Sequence, residues 1–363
     1  MTAVRALVLE APRRLTPRRL PLPAVGDDDG LLHVEACGLC GTDHEQYTGA
    51  LPAGYAYVPG HESVGVIDAI GARAAERWRV RVGDRVAVEV FQSCGACEPC
   101  RSGVYRRCRR HGMEDMYGFV PVDKAPGLWG GYAEYQYLAP DSMLLPVPDG
   151  LDPVVATLFN PLGAGIRWAG TVPGTGGGDV VAVLGPGVRG LSACVAAKEA
   201  GADVVMVTGV GPRDNERLAL AKAFGADLAV DVATTDPAAA LRDSVGRLAD
   251  VVVDLTAKAP AALGQAISLA RVGGTVVLAG TRGSDETPGF WPDLIVYKEL
   301  RILGALGVDT AAYHAALDLL ASGRYPFAEL PRRCVPLPDA DSLLRCMAGE
   351  GDTVPPVHGV VTP

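Results

Sequence analysis

The sequence predicts an α/β protein in which a barrel-like β unit is joined to a doubly wound parallel sheet. Three observations predict this fold. Short apolar runs punctuated by glycine and proline fill the first part, strand-like and helix-like segments alternate after residue 180, and a glycine-rich turn at 185–190 follows the first of those strands. We expect the β unit to span 1–154, the parallel sheet 155–300, and the remainder, 301–363, to return to the β unit.

The first part contains short β-like runs separated by turn residues, at 3–9, 30–36, 63–70 and 85–90. Regular short strands of this kind are typical of an all-β barrel. Proline and glycine become densest at 140–153, which places a domain boundary near residue 154. Residues 152–168 then predict an amphipathic helix that is interrupted at Asn160, because Pro161 disfavours helix for the residue before it.

The second part alternates continuous apolar runs with helical segments. The runs lie at 180–184, 204–208, 228–230, 251–255 and 275–279, and helical segments separate them. Strands that are apolar throughout are typical of a parallel sheet with helices on both faces. Residues 301–306 predict a further strand, which is a candidate edge for subunit pairing.

The glycine turn predicts a nucleotide site. Gly185 allows a tight turn after the strand, Gly187 allows a phosphate to approach the backbone, and Gly190 lets the following helix lie close to the strand. Together with Val188 and Arg189, these residues form the start of a helix whose N–H groups favour an anion. We therefore expect the turn to bind a dinucleotide pyrophosphate.

Composition excludes several function classes. The 363 residues carry a net charge of −9, so the surface repels nucleic acid and anionic membranes, and neither is an expected partner. No apolar run reaches membrane-spanning length, and the first residues lack the apolar core of a signal peptide, so we expect a cytoplasmic protein. Nine cysteines, an odd number, favour metal sites or buried thiols over a disulfide framework.

Two groups of residues have the composition of metal sites. Four cysteines with gaps of two, two and seven residues predict a closed structural zinc site, and they are Cys94, Cys97, Cys100 and Cys108. Cys40, His61 and Glu62 supply the thiolate, imidazole and carboxylate that an open catalytic zinc site takes. Taken alone, Cys40 is more simply interpreted as a buried thiol and His61 as a turn residue.

The motifs G-L-C-G-T-D, P-G-H-E-S-V-G, the four-cysteine loop, G-G-Y-A-E-Y and G-P-G-V-R-G follow one another along the chain. In this order the sequence resembles the zinc-containing medium-chain alcohol and polyol dehydrogenases, on the side of the polyol, glucose and threonine enzymes. The resemblance implies a GroES-like β domain, a Rossmann domain and a homo-oligomer, either a dimer or a tetramer. It also implies zinc-dependent hydride transfer between a secondary alcohol or polyol, or its ketone, and NAD(P).

The same resemblance implies roles for residues near the catalytic zinc. The ligands carry over to Cys40, His61 and the adjacent Glu62. Relatives place a further Cys, Asp or Glu where this chain has Asn160, and an amide oxygen is a poorer zinc donor than thiolate or carboxylate. We therefore expect Asn160 to be a weak ligand or a neighbour of the site. A site without catalytic zinc stays an alternative.

Proton transfer would begin at Thr42, which matches the hydroxyl of the family's proton relay. Many relatives have histidine five residues after the cysteine ligand, whereas this chain has Glu45 there and His44 just before it. Either residue could be the distal proton acceptor, and both could equally be solvated loop residues.

Coenzyme choice depends on the end of the second strand of the predicted sheet. Gly209 stands where NAD-preferring relatives usually carry the aspartate that binds the adenosine ribose. Without that carboxylate, Arg213 could pair with the 2′-phosphate of NADP, whereas Asp214 could replace the lost acid and favour NAD. The sequence favours NADP.

Two other functions remain open at this level. The neutral Asn160 and the unusual Glu45 also fit a zinc-independent NAD(P)H reductase or lyase on the same fold. A dinucleotide-binding sensor with one structural zinc and no turnover fits as well.

Overall fold

A computed structural model describes residues 2–51, 54, 56–257, 259–281, 287, 290–350 and 354–363. The chain forms two compact units. The first comprises residues 1–160, 309–323 and 327–363, and the second comprises residues 161–308 and 324–326. The domain boundaries derived from the sequence, at residues 154 and 300, stay predictions.

The strands β1–β15 are, in chain order, Ala3–Ala11, Arg14–Pro21, Gly30–Leu39, Glu62–Ile70, Arg85–Val88, Tyr135–Leu138, Leu144–Pro146, Val180–Leu184, Val204–Gly209, Leu228–Asp231, Ala249–Asp254, Ala270–Leu278, Arg301–Gly304, Arg332–Pro336 and His358–Thr362. The helices α1–α12 are Gly41–Thr48, Ala72–Trp78, Glu98–Arg101, Pro153–Ala156, Phe159–Gly165, Val188–Glu199, Asn215–Ala221, Pro237–Val245, Ala262–Leu269, Asp293–Tyr297, Thr310–Ala321 and Ala340–Met347. A π-helix, Ile166–Thr171, follows α5.

The first unit is built on a β-sheet in the order β14-β15-β3-β4-β5-β7, with β6 also paired to β3, and on the hairpin β1-β2. Its long central strands β3 and β4 pair antiparallel, and the inward residues Leu32, Val34 and Ile67 are buried in one apolar cluster. The C-terminal strand β15 pairs with β3 next to Leu39 and Cys37. Strand β3 is therefore hydrogen-bonded on both sides where it leads into Cys40.

The second unit contains a parallel sheet in the order β10-β9-β8-β11-β12-β13. Its central strand β8 is buried at every position, which confirms the doubly wound sheet predicted from continuous apolar runs. Strand β9 lies beside β8 and ends at Gly209, and strand β13 forms one edge of the sheet.

The predicted helix over residues 152–168 differs from the structure. The chain breaks at residues 157–158, between α4 and α5, and not at Asn160 and Pro161. Pro161 lies in the first turn of α5, where its missing N–H would have had no partner within the helix. Asn160 thereby sits in the first turn of α5 and is 4% exposed.

Candidate metal centres and nucleotide turn

Cys40 lies at the junction of β3 and α1. It is the N-cap of α1: its Sγ accepts the N–H of Thr42 at 3.4 Å, and its own N–H donates to Asp43 Oδ2 at 2.8 Å. A reciprocal cap of this kind fixes the entry of the chain into the helix. The thiol is held at one defined position, 5% exposed.

Strand pairing brings His61 and Glu62 to Cys40. Glu62 begins β4 and pairs with Gly38 of β3, two residues before Cys40, and His61 precedes it. The three side chains are buried, and each offers a donor atom within 4.8 Å of the others. A sulfur, an imidazole nitrogen and a carboxylate oxygen at this spacing fit a zinc ion, and three protein donors leave room for a fourth.

Asp43 orients His61. Its Oδ1 lies 3.6 Å from His61 Nδ1, and the carboxylate is 2% exposed. Burial lowers the pKa of His61, but the charge of Asp43, together with a hydrogen bond and charge from Cys40, outweighs burial and raises it to about 9. Since Nδ1 faces Asp43, Nε2 is the ring nitrogen directed to the opposite side.

Gly38 shows how closely the groups around Glu62 are packed. A Cβ atom on Gly38 would lie 2.5 Å from Glu62 Oε2 and 3.3 Å from Thr157 Cβ. Thr157 follows the last residue of α4, and Asn160 lies three residues later in the first turn of α5. Asn160 Nδ2 donates a hydrogen bond to the hydroxyl of Tyr313 at 3.2 Å.

The other predicted site residues of α1, Thr42, His44 and Glu45, do not all lie on one face of the helix. Residues three apart share a helix face, whereas residues two apart do not, so Glu45 lies on the face of Thr42 and His44 does not. His44 Nε2 instead lies 3.8 Å from Oε1 of Glu350, which is bound bidentately by Arg13. Helical spacing therefore places Glu45, and not His44, on the face of α1 that carries Thr42.

The four predicted cysteines of the loop come together. Their Sγ atoms lie within 4.8 Å of one another, with 3.4 Å between Cys97 and Cys100 and 3.9 Å between Cys94 and Cys100. Burial raises the pKa of Cys108, but backbone N–H donors, including that of Arg110 at 3.4 Å, outweigh it and lower the pKa to about 6. Four sulfurs of this kind fit one tetrahedral zinc ion.

A buried acid that the sequence did not predict as a site residue, Glu89, attaches this loop to the end of β5. Glu89 is 0% exposed, and its Oε2 accepts the hydroxyl of Tyr105, which lies between the last two cysteines, at 2.6 Å. Burial raises the pKa of Glu89 to about 7, against the hydrogen bonds from Tyr105 and the N–H of Phe91. A single acid inside the apolar run 86–91 is the only sequence signal for this contact.

The glycine turn has the geometry of an anion site. Gly185 has a φ of 97°, and a Cβ on Gly190 would lie 1.8 Å from the carbonyl oxygen of Gly185, so neither position accepts a side chain without rearrangement. Helix α6 begins at Val188, and no described side chain caps its N-cap, Gly187. The turn fits a pyrophosphate on the first N–H groups of α6. Arg189, in the first turn of α6, packs its guanidinium 5.5 Å from the ring centre of Trp168.

The end of β9 has little room for a side chain at Gly209. A Cβ there would lie 2.9 Å from Pro186 Cγ and 3.0 Å from Asp214 Cβ. Asp214 is 2% exposed, accepts the N–H of Val210 at 3.0 Å and pairs with Arg217 at 3.1 Å. This carboxylate is occupied within its own loop. The side chain of Arg213 is 76% exposed beside it, with 3.6 Å between Nε and Asp214 Oδ1.

A unit with a buried thiol, imidazole and carboxylate, together with a parallel-sheet unit that carries a pyrophosphate turn, defines a metal-dependent oxidoreductase of the nicotinamide nucleotides. Residues 26–149 match the alcohol dehydrogenase GroES-like domain, and residues 189–322 match the zinc-binding dehydrogenase domain. The chain belongs to the zinc-binding medium-chain alcohol dehydrogenase family. Enzymes of this type transfer hydride between alcohols or polyols and NAD(P), and this chain is one of them.

Three similar proteins illustrate the relationship. A Mycobacterium tuberculosis protein described as a probable alcohol dehydrogenase is 72% identical over 361 residues, 99% of this chain and 98% of that protein. Sorbitol dehydrogenase of Bacillus subtilis is 32% identical over 327 residues, 88% of this chain and 86% of that enzyme. A Sinorhizobium meliloti protein assigned as a zinc-binding dehydrogenase and solved with NADP is 29% identical, with a TM-score of 0.84 and complete coverage, 100%, of both chains.

None of the helices in the described part of the chain combines the length and the apolarity needed to cross a membrane.

Proposed function

We propose that this enzyme oxidises a secondary alcohol or polyol, or reduces the matching ketone, with NADP as its preferred coenzyme. The observation that carries the proposal is the buried cluster of Cys40, His61 and Glu62, whose donor atoms lie within 4.8 Å beside a helix that carries a hydroxyl, Thr42. The polyol class is supported by the sorbitol dehydrogenase relative.

In this proposal Cys40, His61 and Glu62 hold the catalytic zinc, with Asn160 at its margin. When bound, zinc supplies a Lewis acid that lowers the pKa of an alcohol hydroxyl toward neutrality. Asp43 keeps the imidazole of His61 oriented, and the burial of all three donors excludes bulk water from the reacting oxygen. A bound nicotinamide would supply the hydride chemistry, which belongs to the cofactor.

The proton leaves by a separate route. We assign Thr42 Oγ1 as a relay that would accept the proton of the alcohol while its own hydroxyl proton passes on, and Glu45, further along the same helix face, as the final acceptor. His44 is not assigned a part in this route, because its ring turns toward Glu350. Glu45→Gln should depress turnover mainly at low pH, where proton removal is hardest, whereas His44→Gln should change it little.

The coenzyme preference rests on the loop after β9. The glycine turn, with Gly185, Gly187, Val188, Arg189 and Gly190, would hold the pyrophosphate, and the 2′-phosphate would meet Arg213. Arg217, held by the buried Asp214, would add a second cation to that loop. A packed Gly209 leaves no site there for the carboxylate that would repel the phosphate.

Michaelis constants for NADP and NAD test this preference. In Arg213→Ala, the constant for NADP should rise about tenfold, the value of one lost charge-assisted contact, while the constant for NAD should stay the same. Lys222→Ala, which removes a cation elsewhere in the same unit, is the matched control. An unchanged NADP constant in Arg213→Ala would sink the assignment of this residue.

Cys94, Cys97, Cys100 and Cys108 would hold a second, structural zinc that performs no chemistry. The cysteines form no disulfide within the described residues, and we propose a reducing, cytoplasmic location. We also propose that the enzyme is a homo-oligomer that pairs through strand β13. This strand forms a sheet edge, and Val296 and Tyr297 nearby are 71% and 65% exposed.

Metal analysis and an alcohol panel test the main proposal. We expect two zinc ions per chain. We also expect secondary alcohols or polyols to reduce NADP, which is measured by the absorbance of the reduced nicotinamide. One zinc ion per chain with turnover retained would favour the zinc-independent reductase. One zinc ion without turnover of any alcohol or ketone would favour the sensor. Sedimentation of the wild type and Tyr297→Asp tests the oligomer, which the charged side chain should weaken.

A further inference from the structure

The buried residue Tyr313 holds the side chain of Asn160. Tyr313 lies on α11, is 1% exposed and packs its ring against Phe159 with 5.1 Å between ring centres. Its hydroxyl accepts a hydrogen bond from Asn160 Nδ2 at 3.2 Å. Since both groups are buried, this contact has little competition from water, and it fixes the rotation of the amide.

The contact also determines the direction of the amide oxygen of Asn160. A side-chain amide has a donor NH₂ on one side and an acceptor oxygen on the other, and only the oxygen can bind a cation. With Nδ2 of Asn160 directed at Tyr313, Oδ1 lies on the opposite side of the amide carbon. The acceptor is therefore turned away from α11.

The preceding residue Thr157 places the segment of this amide near the metal cluster. Thr157 Cβ and Glu62 Oε2 both approach the position of a Cβ on Gly38, at 3.3 Å and 2.5 Å. Thr157 has helical backbone angles, with a φ of −58° and a ψ of −20°, and Asn160 follows three residues later in the first turn of α5. The segment that carries Asn160 therefore begins next to the carboxylate of Glu62.

We propose that Tyr313 is a positioning residue that presents Asn160 Oδ1 to the zinc ion of the Cys40 cluster. The inference rests on the proposed function of that cluster. A carboxylate can offer an oxygen in either rotation, whereas an amide offers one oxygen and has no charge to compensate for a wrong rotation. A fixed rotation is what makes a neutral amide usable at this position.

The test measures zinc affinity and the cobalt spectrum of Tyr313→Phe, which keeps the ring against Phe159 and removes only the hydroxyl. Competition with a chromophoric chelator should show about tenfold weaker zinc binding at one site, the usual cost of losing an outer partner of a ligand. The four-cysteine site serves as an internal reference and should keep its zinc. Cobalt bound at the weakened site should show a changed visible absorption.

Two variants separate positioning from a general structural role. Tyr117→Phe removes an equally buried hydroxyl, bonded to Ser142 at 2.5 Å, and should leave zinc binding at both sites unchanged. In an Asn160→Asp background, Tyr313→Phe should no longer weaken zinc, because either carboxylate oxygen can serve.

The outcomes distinguish this inference from the proposed function. If the wild type binds two zinc ions and Tyr313→Phe retains both with wild-type affinity and an unchanged cobalt spectrum, Tyr313 does not position Asn160. Equal weakening in the Asn160→Asp background would also overturn the inference. A wild type that binds zinc only at the four cysteines would overturn the proposed catalytic site itself.

Discussion

The two candidate metal clusters of the first unit differ in composition, burial and support. The loop of Cys94, Cys97, Cys100 and Cys108 uses four identical donors, three of them partly exposed, and is held by backbone N–H groups. The Cys40 cluster uses three different donors, all buried, that lie at the adjoining ends of two paired strands. Four like thiolates close a coordination sphere, whereas three unlike donors leave a position for a substrate. We therefore expect one site to fix the chain and the other to exchange a ligand.

The largest effect should follow from breaking the mixed cluster. In Cys40→Ser, we expect turnover to fall by a factor on the order of a thousand or more, because the Lewis acid that stabilises the reacting oxygen is lost. The zinc content should fall from two ions to one per chain, with little change in melting temperature. Cys346→Ser, a buried cysteine outside both clusters, is the control. Retained turnover in Cys40→Ser would show that the mixed cluster is not the catalytic site.

Breaking the four-cysteine loop should have the opposite signature. In Cys97→Ser, we expect the free energy of unfolding to fall by several kcal/mol, because metal binding stabilises a loop that has little core of its own. The fraction that remains folded should keep most of its turnover per active site. Thermal unfolding and zinc content measure the first effect, and active-site titration measures the second. Loss of turnover without loss of stability would show that this loop serves the chemistry.

The attachment of the loop by Glu89 should show in the pH dependence of stability. The pKa of Glu89 in the folded state is about 7, above its usual value, so the folded state holds an extra proton between roughly pH 4.5 and pH 7. Stability should therefore fall as pH rises through this range, by about 3 kcal/mol, and level off above it. Tyr105 and Asp309 are the titratable groups that act on this carboxyl.

Glu89→Gln should lose this slope, because the amide accepts the Tyr105 hydroxyl without titrating. Denaturant unfolding at pH 5 and pH 7.5 checks this difference, with zinc content measured alongside. Equal slopes in the wild type and the variant would show that Glu89 keeps its ordinary ionisation. Zinc loss from the Cys40 cluster in this variant would show that the two regions are coupled.

The smallest effect concerns the orientation of His61. Asp43→Asn keeps an oxygen for the N–H of Cys40 but removes the charge that faces Nδ1. We expect zinc affinity at the mixed cluster to fall about tenfold, with the four-cysteine site unchanged. Chelator competition measures both sites in one experiment. Equal weakening at both sites would mean that Asp43 stabilises the whole unit and not the imidazole alone.

Sequence patterns predicted those features that depend on neighbouring residues. Local sequence patterns were sufficient to predict three features. These are the parallel sheet, the glycine turn and the cluster of four cysteines. Strand β2 was missed because Arg14–Pro21 is an exposed edge with three arginines and two prolines, and only pairing with β1 makes it a strand. The helix break was misplaced because proline tolerates the first turn of a helix.

The supporting contacts of the sites were not predictable, because they join distant parts of the chain. Glu89 meets Tyr105 over 16 residues, and Asn160 meets Tyr313 over 153. The role of Asp43 toward His61 depends on the register of β3 with β4, which no local pattern encodes. Arg217 gains meaning only because the buried Asp214 holds it. Metal-donor residues can be predicted from their residue type and spacing, whereas the residues that orient them are of common types and have no such pattern.

The missing side chain of Gly38 has a consequence for redesign of the enzyme. Even one methyl group there would overlap the carboxylate of Glu62, so the oxygen donor would swing away while the sulfur and imidazole donors stayed in place. The backbone of β3 at Gly38 thus limits the space that is available to the side chain of Glu62. Libraries that vary the donor set to change substrate range should leave this glycine constant.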